Sequence, residues 1–304
     1  MKKNILILSL FCMSVFGCKN EDKTNKKLNV VTTTTMITDV VKNIGGDEIV
    51  LQGLMGSGVD PHLYKASEGD VTKLVNADVI FYNGLHLEGK LVEVFEKMER
   101  NDITQVALGE LLDKSKLIGS DYFASNYDPH VWFNIDYFKQ YAKAITKTLS
   151  EKKPEHKDYF KQNETRYIKA LEKLKENISK RINELHEAQR ILVTAHDAFN
   201  YFGQAYNFEV VGLQGLSTAT EAGVKDVRKL AEFIIDKKIK AIFVESSVPK
   251  RTIEALVAAV KAKDHEVKIG GTLYSDALGD SGTEEGTYIG MYSHNVKTIV
   301  NALK

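Results

Sequence analysis

The chain has 304 residues, 43% of them hydrophobic and 27% charged, a composition that excludes a disordered or collagen-like chain. Lys+Arg and Asp+Glu both number 41, so no basic excess points to nucleic acid, and none is expected as a partner. Two Cys exclude a disulfide scaffold or a Cys-rich zinc module.

The first segment carries Lys2 and Lys3, then an apolar run from Ile5 to Phe16, too short for a spanning helix. It closes on Val15-Phe16-Gly17-Cys18, which resembles a lipobox, the processing signal of bacterial lipoproteins, although Phe16 is bulkier than the usual residue there. The expectation is a signal peptide over 1–17, lipidation at Cys18 and a polar tether over 18–27. Cleavage would remove Lys2 and Lys3 from 41 basic residues against 41 acidic, leaving a net charge of −2. Acyl chains contribute about 0.8 kcal/mol per buried methylene, enough for stable anchoring when two or more are attached.

Past the tether, short β-branched runs alternate with amphipathic stretches. Strands are expected at Leu28–Thr33, Glu48–Leu54, Asp78–Tyr82 and Thr104–Ala107, and again at Ile191–Thr194, Glu209–Leu213, Ala241–Glu245 and Val267–Gly270. Helices are expected at Ser67–Asn76, Glu88–Met98, Tyr137–Leu149, Asp197–Tyr206, Glu221–Asp236, Pro249–Lys261 and Thr287–Leu303. Ser67 with Asp70 reads as a capping box. Such alternation predicts an α/β fold with parallel sheets. Between the two sets, Leu171, Leu174, Ile178, Ile182 and Leu185 step by three or four through a Lys- and Glu-dense segment. They predict one linker helix over 154–189, about 50 Å long at ~1.5 Å per residue. The expected organisation is therefore an N-terminal α/β lobe at 28–153, a rigid linker helix at 154–189 and a C-terminal α/β lobe at 190–304. A continuous helix between lobes limits their relative motion to small shifts.

Of the eight His, three occupy chemically suggestive places. His62 lies in Gly58-Val59-Asp60-Pro61-His62, a turn after a strand, at the sheet edge where open α/β folds bind ligands. His130 lies in a second Asp-Pro-His, beside Trp132. Each Asp could accept from its imidazole and fix the tautomer; the plainer reading is two capping turns. His196 ends a buried strand. Asp276 follows the last strand in Gly270-Gly271-Thr272-Leu273-Tyr274-Ser275-Asp276. Alone, His196 or Asp276 would pass for an ordinary helix-start or cap residue. Together the four supply three imidazoles and a carboxylate, a donor set suited to zinc and usable by manganese. Glu245, in FVESS, reads equally as a partner for a ligand His or as a strand-end carboxylate. His86, His156, His186, His265 and His294 read as solvated or packed side chains.

The sequence resembles the metal-specific solute-binding proteins of bacterial ABC importers, the zinc/manganese and iron group. The resemblance rests on VDPHLYKAS around His62, FYNGLHLEGK at Phe81–Lys90, YDPHVWFN around His130 and ILVTAHDAFNYF around His196. It extends through LQGLSTATEAG, LYSDALG around Asp276 and the C-terminal YIGMYSHNVKTIVNAL. It implies two α/β lobes joined by one long helix, with the metal in the interlobe cleft on His62, His130, His196 and Asp276. It further implies a monomeric, lipid-anchored, extracytoplasmic protein, in the periplasm or on the outer face of the cell membrane, that delivers metal to an importer's permease and ATPase. Zinc-devoted members often carry a His-rich loop between the first two ligands, where this chain has only His86. Manganese-devoted members often have Glu in place of His196. The donor set ranks zinc first, manganese second and iron third. The rival readings are a surface adhesin, a siderophore or cobalamin binder, and a zinc hydrolase using Asp197 or Glu245 as base. Four protein ligands leave such a hydrolase no natural water position, and no HExxH run exists.

Overall fold

The computed structural model describes residues 26–98, 102–120 and 123–304. The expected signal peptide, Cys18 and all of the tether but Lys26 and Lys27 lie outside the described residues. None of the described helices is long and apolar enough to cross a membrane.

Four parallel strands, β1 (Leu28–Thr32), β2 (Ile49–Gly53), β3 (Val79–Tyr82) and β4 (Thr104–Ala107), form a sheet in the order β2-β1-β3-β4. Val30, Val31, Val79 and Ile80 are all buried. Adjacent residues of a strand point to opposite faces, so this central pair is covered on both sides, as a parallel sheet requires. The second half holds β5 (Ile191–His196) paired with β6 (Glu209–Gln214), and β7 (Ala241–Glu245) paired with β8 (Lys268–Leu273), all parallel. β5 lies against β7. All eight strands stand where the sequence places them, within three residues at each end.

The helices are α1 (Thr35–Gly45), α2 (Glu68–Val75), α3 (Val92–Met98), α4 (Ile135–Lys152), α5 (Lys157–Ile182), α6 (Asn200–Tyr206), α7 (Val224–Asp236), α8 (Arg251–Lys261) and α9 (Tyr288–Leu303). The capping box of α2 forms: Asp70 N–H donates to Ser67 Oγ at 3.2 Å, and Ser67 N–H donates to Asp70 Oδ2 at 3.0 Å. α1 was not expected, because its β-branched content hides a helical spacing of buried Ile37, Val40, Val41 and Ile44. α3 starts at Val92 rather than Glu88, since Glu88 is drawn inward by backbone donors.

The linker helix is shorter than the 154–189 expected. α5 is preceded by a single 3-10 turn at Pro154–His156 and ends at Ile182, a length of about 39 Å for 26 residues. Leu185 is buried beyond the helix end, because the chain turns there and Leu185 N–H donates to the Ile182 carbonyl. A turn keeps a side chain on the same face three residues on, so the apolar spacing could not distinguish it from another helical turn.

One apolar core runs through both halves. It joins Val40 and Ile44 of α1, Phe138 and Tyr141 of α4, Tyr167 and Leu171 of α5, Phe202 of α6, and Tyr288 and Tyr292 of α9. Phe138 and Tyr288 stack with centroids 3.8 Å apart and planes 13° from parallel. Tyr288 donates to the Trp132 carbonyl at 2.6 Å and Tyr292 to the Phe133 carbonyl at 2.7 Å. The C-terminal helix thus grips the turn just after His130.

Replacing Tyr292 by Phe leaves the buried Phe133 carbonyl without its donor, an expected loss of about 1–3 kcal/mol. Urea unfolding of the metal-free protein measures it; a loss below about 0.5 kcal/mol would show that this bond does not hold the turn.

Candidate metal centre

The two Asp-Pro-His turns fold alike. In each, the Asp side chain accepts from the His backbone N–H: Asp60 Oδ1 from His62 at 2.8 Å, and Asp128 Oδ1 from His130 at 2.9 Å. Each side chain mimics a backbone turn, with Pro fixing the residue between. Gly58, at φ +68°, lets the chain reverse ahead of the first turn.

Beyond that the turns differ. Asp128 Oδ1 also contacts His130 Nδ1 at 2.7 Å, leaving Nε2 to face inward. Asp60 instead accepts from Thr218 Oγ in the second half at 2.5 Å, so the expectation that each Asp orients its own imidazole holds at His130 and fails at His62. Asp128 is held from the second half as well, by Asn200 Nδ2 at 3.1 Å on its carboxylate and Tyr201 Oη at 3.0 Å on its carbonyl.

His196 is the last residue of β5. Its Nδ1 lies 2.6 Å from Glu245 Oε2, and its backbone N–H donates to Glu245 Oε1 at 2.9 Å. Glu245 is therefore the partner of a candidate ligand, which settles its two readings. Gly212 of β6 passes so close that a Cβ there would sit 2.5 Å from the Asp197 nitrogen. Asp276 lies in the loop after β8, where Trp132 Nε1 donates to the Ser275 carbonyl at 3.0 Å.

Three loops and the end of β5 bring four buried side chains to one point. Among the described residues, His62, His130, His196 and Asp276 each offer a ligand atom, all within 4.8 Å of one another. His62 Nε2 stands 3.3 Å from His130 Nε2 and 3.8 Å from Asp276 Oδ2. His130 Nε2 is 3.6 Å from Asp276 Oδ1, and His196 Nε2 is 3.1 Å from Asp276 Oδ2. Asp276 is only 1% exposed, and among the described residues no donor other than these imidazoles reaches its oxygens. A carboxylate so deeply buried is strongly unfavourable without compensating positive charge.

The electrostatics follow. Burial pushes His62 down to about 3, against the opposing pull of Asp276, so it is neutral at ordinary pH. Burial opposes charge on His196 too, but Asp276 and Glu245 on either side override it and hold its proton well above the usual imidazole range. Burial would raise Asp276; His196 foremost, then His130 and His62, drive it below the usual carboxylate range. Without metal, the proton on His196 supplies the neutralising charge.

The remaining histidines stay outside. His86 is exposed, with its ring 6.0 Å from that of Phe123. His156 faces Glu48 at 3.3 Å and His294 faces Glu285 at 3.5 Å. His186 is exposed, and His265 sits in the turn before β8. Glu88 and Asn83 were not singled out by sequence. Glu88 accepts from Thr33 Oγ at 2.7 Å and Asn83 N–H at 2.8 Å, and Asn83 Nδ2 donates to the Pro129 carbonyl at 3.0 Å. They brace the His130 turn from the first sheet; an acidic residue within the apolar FYNGLHLEGK stretch was the available signal.

The profile of the family described as zinc-uptake complex component A, periplasmic (ZnuA), matches residues 30–302. The chain belongs to this family. It is 49% identical over 288 residues to the zinc-binding protein TroA of Treponema pallidum, covering 95% of this chain and 92% of that one. The manganese-binding lipoprotein MntA of Bacillus subtilis is 45% identical over 308 residues, with both chains fully covered. The solved structure of the Treponema zinc-binding protein superposes with a TM-score of 0.89 over 91% of this chain and 99% of that one. ZnuA-family members are metal-binding transport proteins rather than enzymes. The hydrolase reading fails locally as well, since Glu245 is committed to His196 and Asp197 Oδ1 accepts from Gly212 N–H at 2.7 Å.

A His that is neutral in the fold but titrates near ~6.5 when unfolded stabilises the native state above that range and destabilises it as pH falls. For His62 the cost reaches about 2 kcal/mol at pH 5. Metal-free protein should therefore lose more stability between pH 7 and 5 than its His62→Gln variant, as read by urea unfolding. Equal losses would contradict the depressed His62.

Proposed function

We propose that His62, His130, His196 and Asp276 hold one divalent transition-metal ion as cargo, with zinc first, manganese second and iron third. The chain is the substrate-binding component of a metal ABC importer, handing the ion to a permease driven by an ATPase. It works outside the cytoplasm as a monomer, anchored through a lipid on Cys18. Its lobes are 28–153 and 190–304, and 154–189 is the connecting segment, with α5 as its helical part.

One observation carries the reading: a buried carboxylate faces three imidazole Nε2 atoms at 3.1–3.8 Å and, among the described residues, no other donor. At a zinc–donor distance of about 2.0–2.1 Å, tetrahedral donors stand about 3.3–3.4 Å apart. Four of the six donor pairs stand 3.1–3.8 Å apart, bracketing that edge, and all lie within 4.8 Å. Both Asp276 oxygens face inward, which also supports a higher coordination number and keeps manganese in second place. The named relatives include one zinc-binding and one manganese-binding protein, which keeps both metals in the reading.

Binding must displace the proton on His196, since a protonated imidazole has no lone pair to give. Calorimetry in buffers of different ionisation enthalpy should show about one proton released per zinc at pH 7. No release would mean that His196 is either neutral beforehand or not a ligand.

Protein purified without added metal should bind one equivalent of zinc, and more tightly than manganese, as nitrogen-rich sites do. His62→Ala and Asp276→Ala should each weaken zinc binding by more than about 100-fold while the metal-free circular dichroism stays native. Retained affinity in both variants would overturn the ligand assignment.

A further inference from the structure

The charge of the chain is unevenly placed. Lys+Arg and Asp+Glu both total 41, yet between residues 135 and 182 the basic residues number 13 and the acidic 7, so the remainder carries the opposite excess. That segment is α4 and α5, two helices packed against each other. Most of its acids are already matched. Asp136 pairs with Lys139 and Lys175, Glu155 with Lys153, Glu164 with Lys161, and Glu172 with Lys139. The surplus is basic. Lys143, Lys157, Lys169, Lys173 and Lys180 are exposed and have no acidic partner among the described residues, and exposed Arg166 reaches only the Asn163 amide. Against them stand two unpaired acids, Asp158 and Glu176.

These bases share a side. At about 100° per residue, Arg166, Lys169, Lys173 and Lys180 fall within about 60° of one another around α5 and extend about 21 Å along it. Lys143 of α4 and Lys157 of α5 border one groove of about 470 Å³ between the helices. A row of that length is too extended for a small anion and suits a broad, negatively charged surface.

The place where the chain enters the fold indicates which surface. Leu28, the first residue of β1, lies opposite Ile49 of β2. The turn leading into β2 touches the start of α5: Glu48 Oε2 is 3.3 Å from His156 Nε2, and Gly46 is packed against the Tyr159 hydroxyl. Cys18 to Lys27 is ten residues, whose reach is at most about 35 Å, less than the length of α5. A lipid on Cys18 therefore keeps the basic side close to the bilayer, and Lys26 and Lys27 are exposed at the point of entry.

We propose that the α4–α5 side is a membrane-facing surface that lies on the anionic phospholipid headgroups of the bilayer holding the anchor. This rests on the lipid-anchoring part of the proposed function. Each Lys or Arg beside such a bilayer strengthens binding about fivefold, so the unpaired bases hold the chain side-on where a tether alone would leave it free to turn. The four candidate ligands lie on neither helix, so this contact and metal binding are separate.

The test uses the full chain produced in bacteria, with acylation of Cys18 checked by mass spectrometry. It is placed in vesicles of phosphatidylcholine alone or with about one quarter phosphatidylglycerol, and its lysines are briefly acetylated. Peptide mass spectrometry reads each site. Phosphatidylglycerol should slow labelling of Lys143, Lys169, Lys173 and Lys180 about threefold or more, and about 1 M salt should restore it. Lys238 and Lys240, exposed in the second half, should label equally in both vesicles. Joint replacement Lys169→Gln, Lys173→Gln and Lys180→Gln should free Lys143 as well and leave zinc affinity unchanged. The proposal is overturned by equal labelling of the four lysines in both vesicles, or by protection of every exposed lysine alike. The same protection without vesicles also overturns it, since that marks contact between copies. An unacylated Cys18 would refute the anchoring reading instead; the basic side is then judged by adding the same vesicles to the free chain, where absence of protection overturns it.

Discussion

The structure turns on one buried carboxylate that faces imidazole nitrogens and, among the described residues, no other donor. Asp276 is buried, and three imidazole Nε2 atoms stand 3.1–3.8 Å from its oxygens, His196 nearest at 3.1 Å. Burying a charge in this way costs several kcal/mol unless a counter-charge arrives. Under the proposed reading two means supply it: a proton held on His196 between Asp276 and Glu245, or a divalent ion shared by all four side chains. The first makes the metal-free protein viable. The second exchanges a single positive charge for a double one and also engages the facing Nε2 atoms of His62 and His130. With these four as ligands, uptake of metal is a proton exchange, and acidification favours release.

The frame around the site limits how the exchange can move the protein. His62 and His130 come from loops of the first half, His196 and Asp276 from the second. Two separate lobes hinged by flexible strands would open widely when the ion leaves. Here a single apolar core passes from α1 and α4 through α5 into α6 and α9. Polar ties cross at the site itself: Thr218 to Asp60, Trp132 to Ser275, and Asn200 and Tyr201 to Asp128. Large rigid-body motion would break the shared core, whereas displacement of the loops carrying Asp60 and Thr218 breaks one hydrogen bond. The low-cost motion is local.

The strands and the four side chains that converge at the centre were legible in the sequence because they are written in short-range chemistry. β-branched runs bounded by turns mark the strands, and Asp-Pro-His twice in one half is improbable without a geometric purpose. The end of the linker helix was not legible, because Leu185 keeps the apolar spacing whether the chain turns or continues as helix. α1 was hidden by its own β-branched composition. The partners of the ligands were legible only in part. Asp128 orients the adjacent His130, a local contact, while Glu245 reaches His196 across 49 residues of sequence. Asp60 departs from the pattern of Asp128 because Thr218, brought over from the other half, competes for its second oxygen. Such contacts exist only once the halves are packed together.

X-ray absorption at the metal edge of the zinc-loaded protein addresses the central claim directly, since it reads the donors around the ion. The account predicts a sulfur-free shell at about 2.0–2.2 Å with the multiple-scattering signature of three imidazoles and oxygen from one carboxylate. A shell dominated by water oxygen, or one showing a single imidazole, would contradict it.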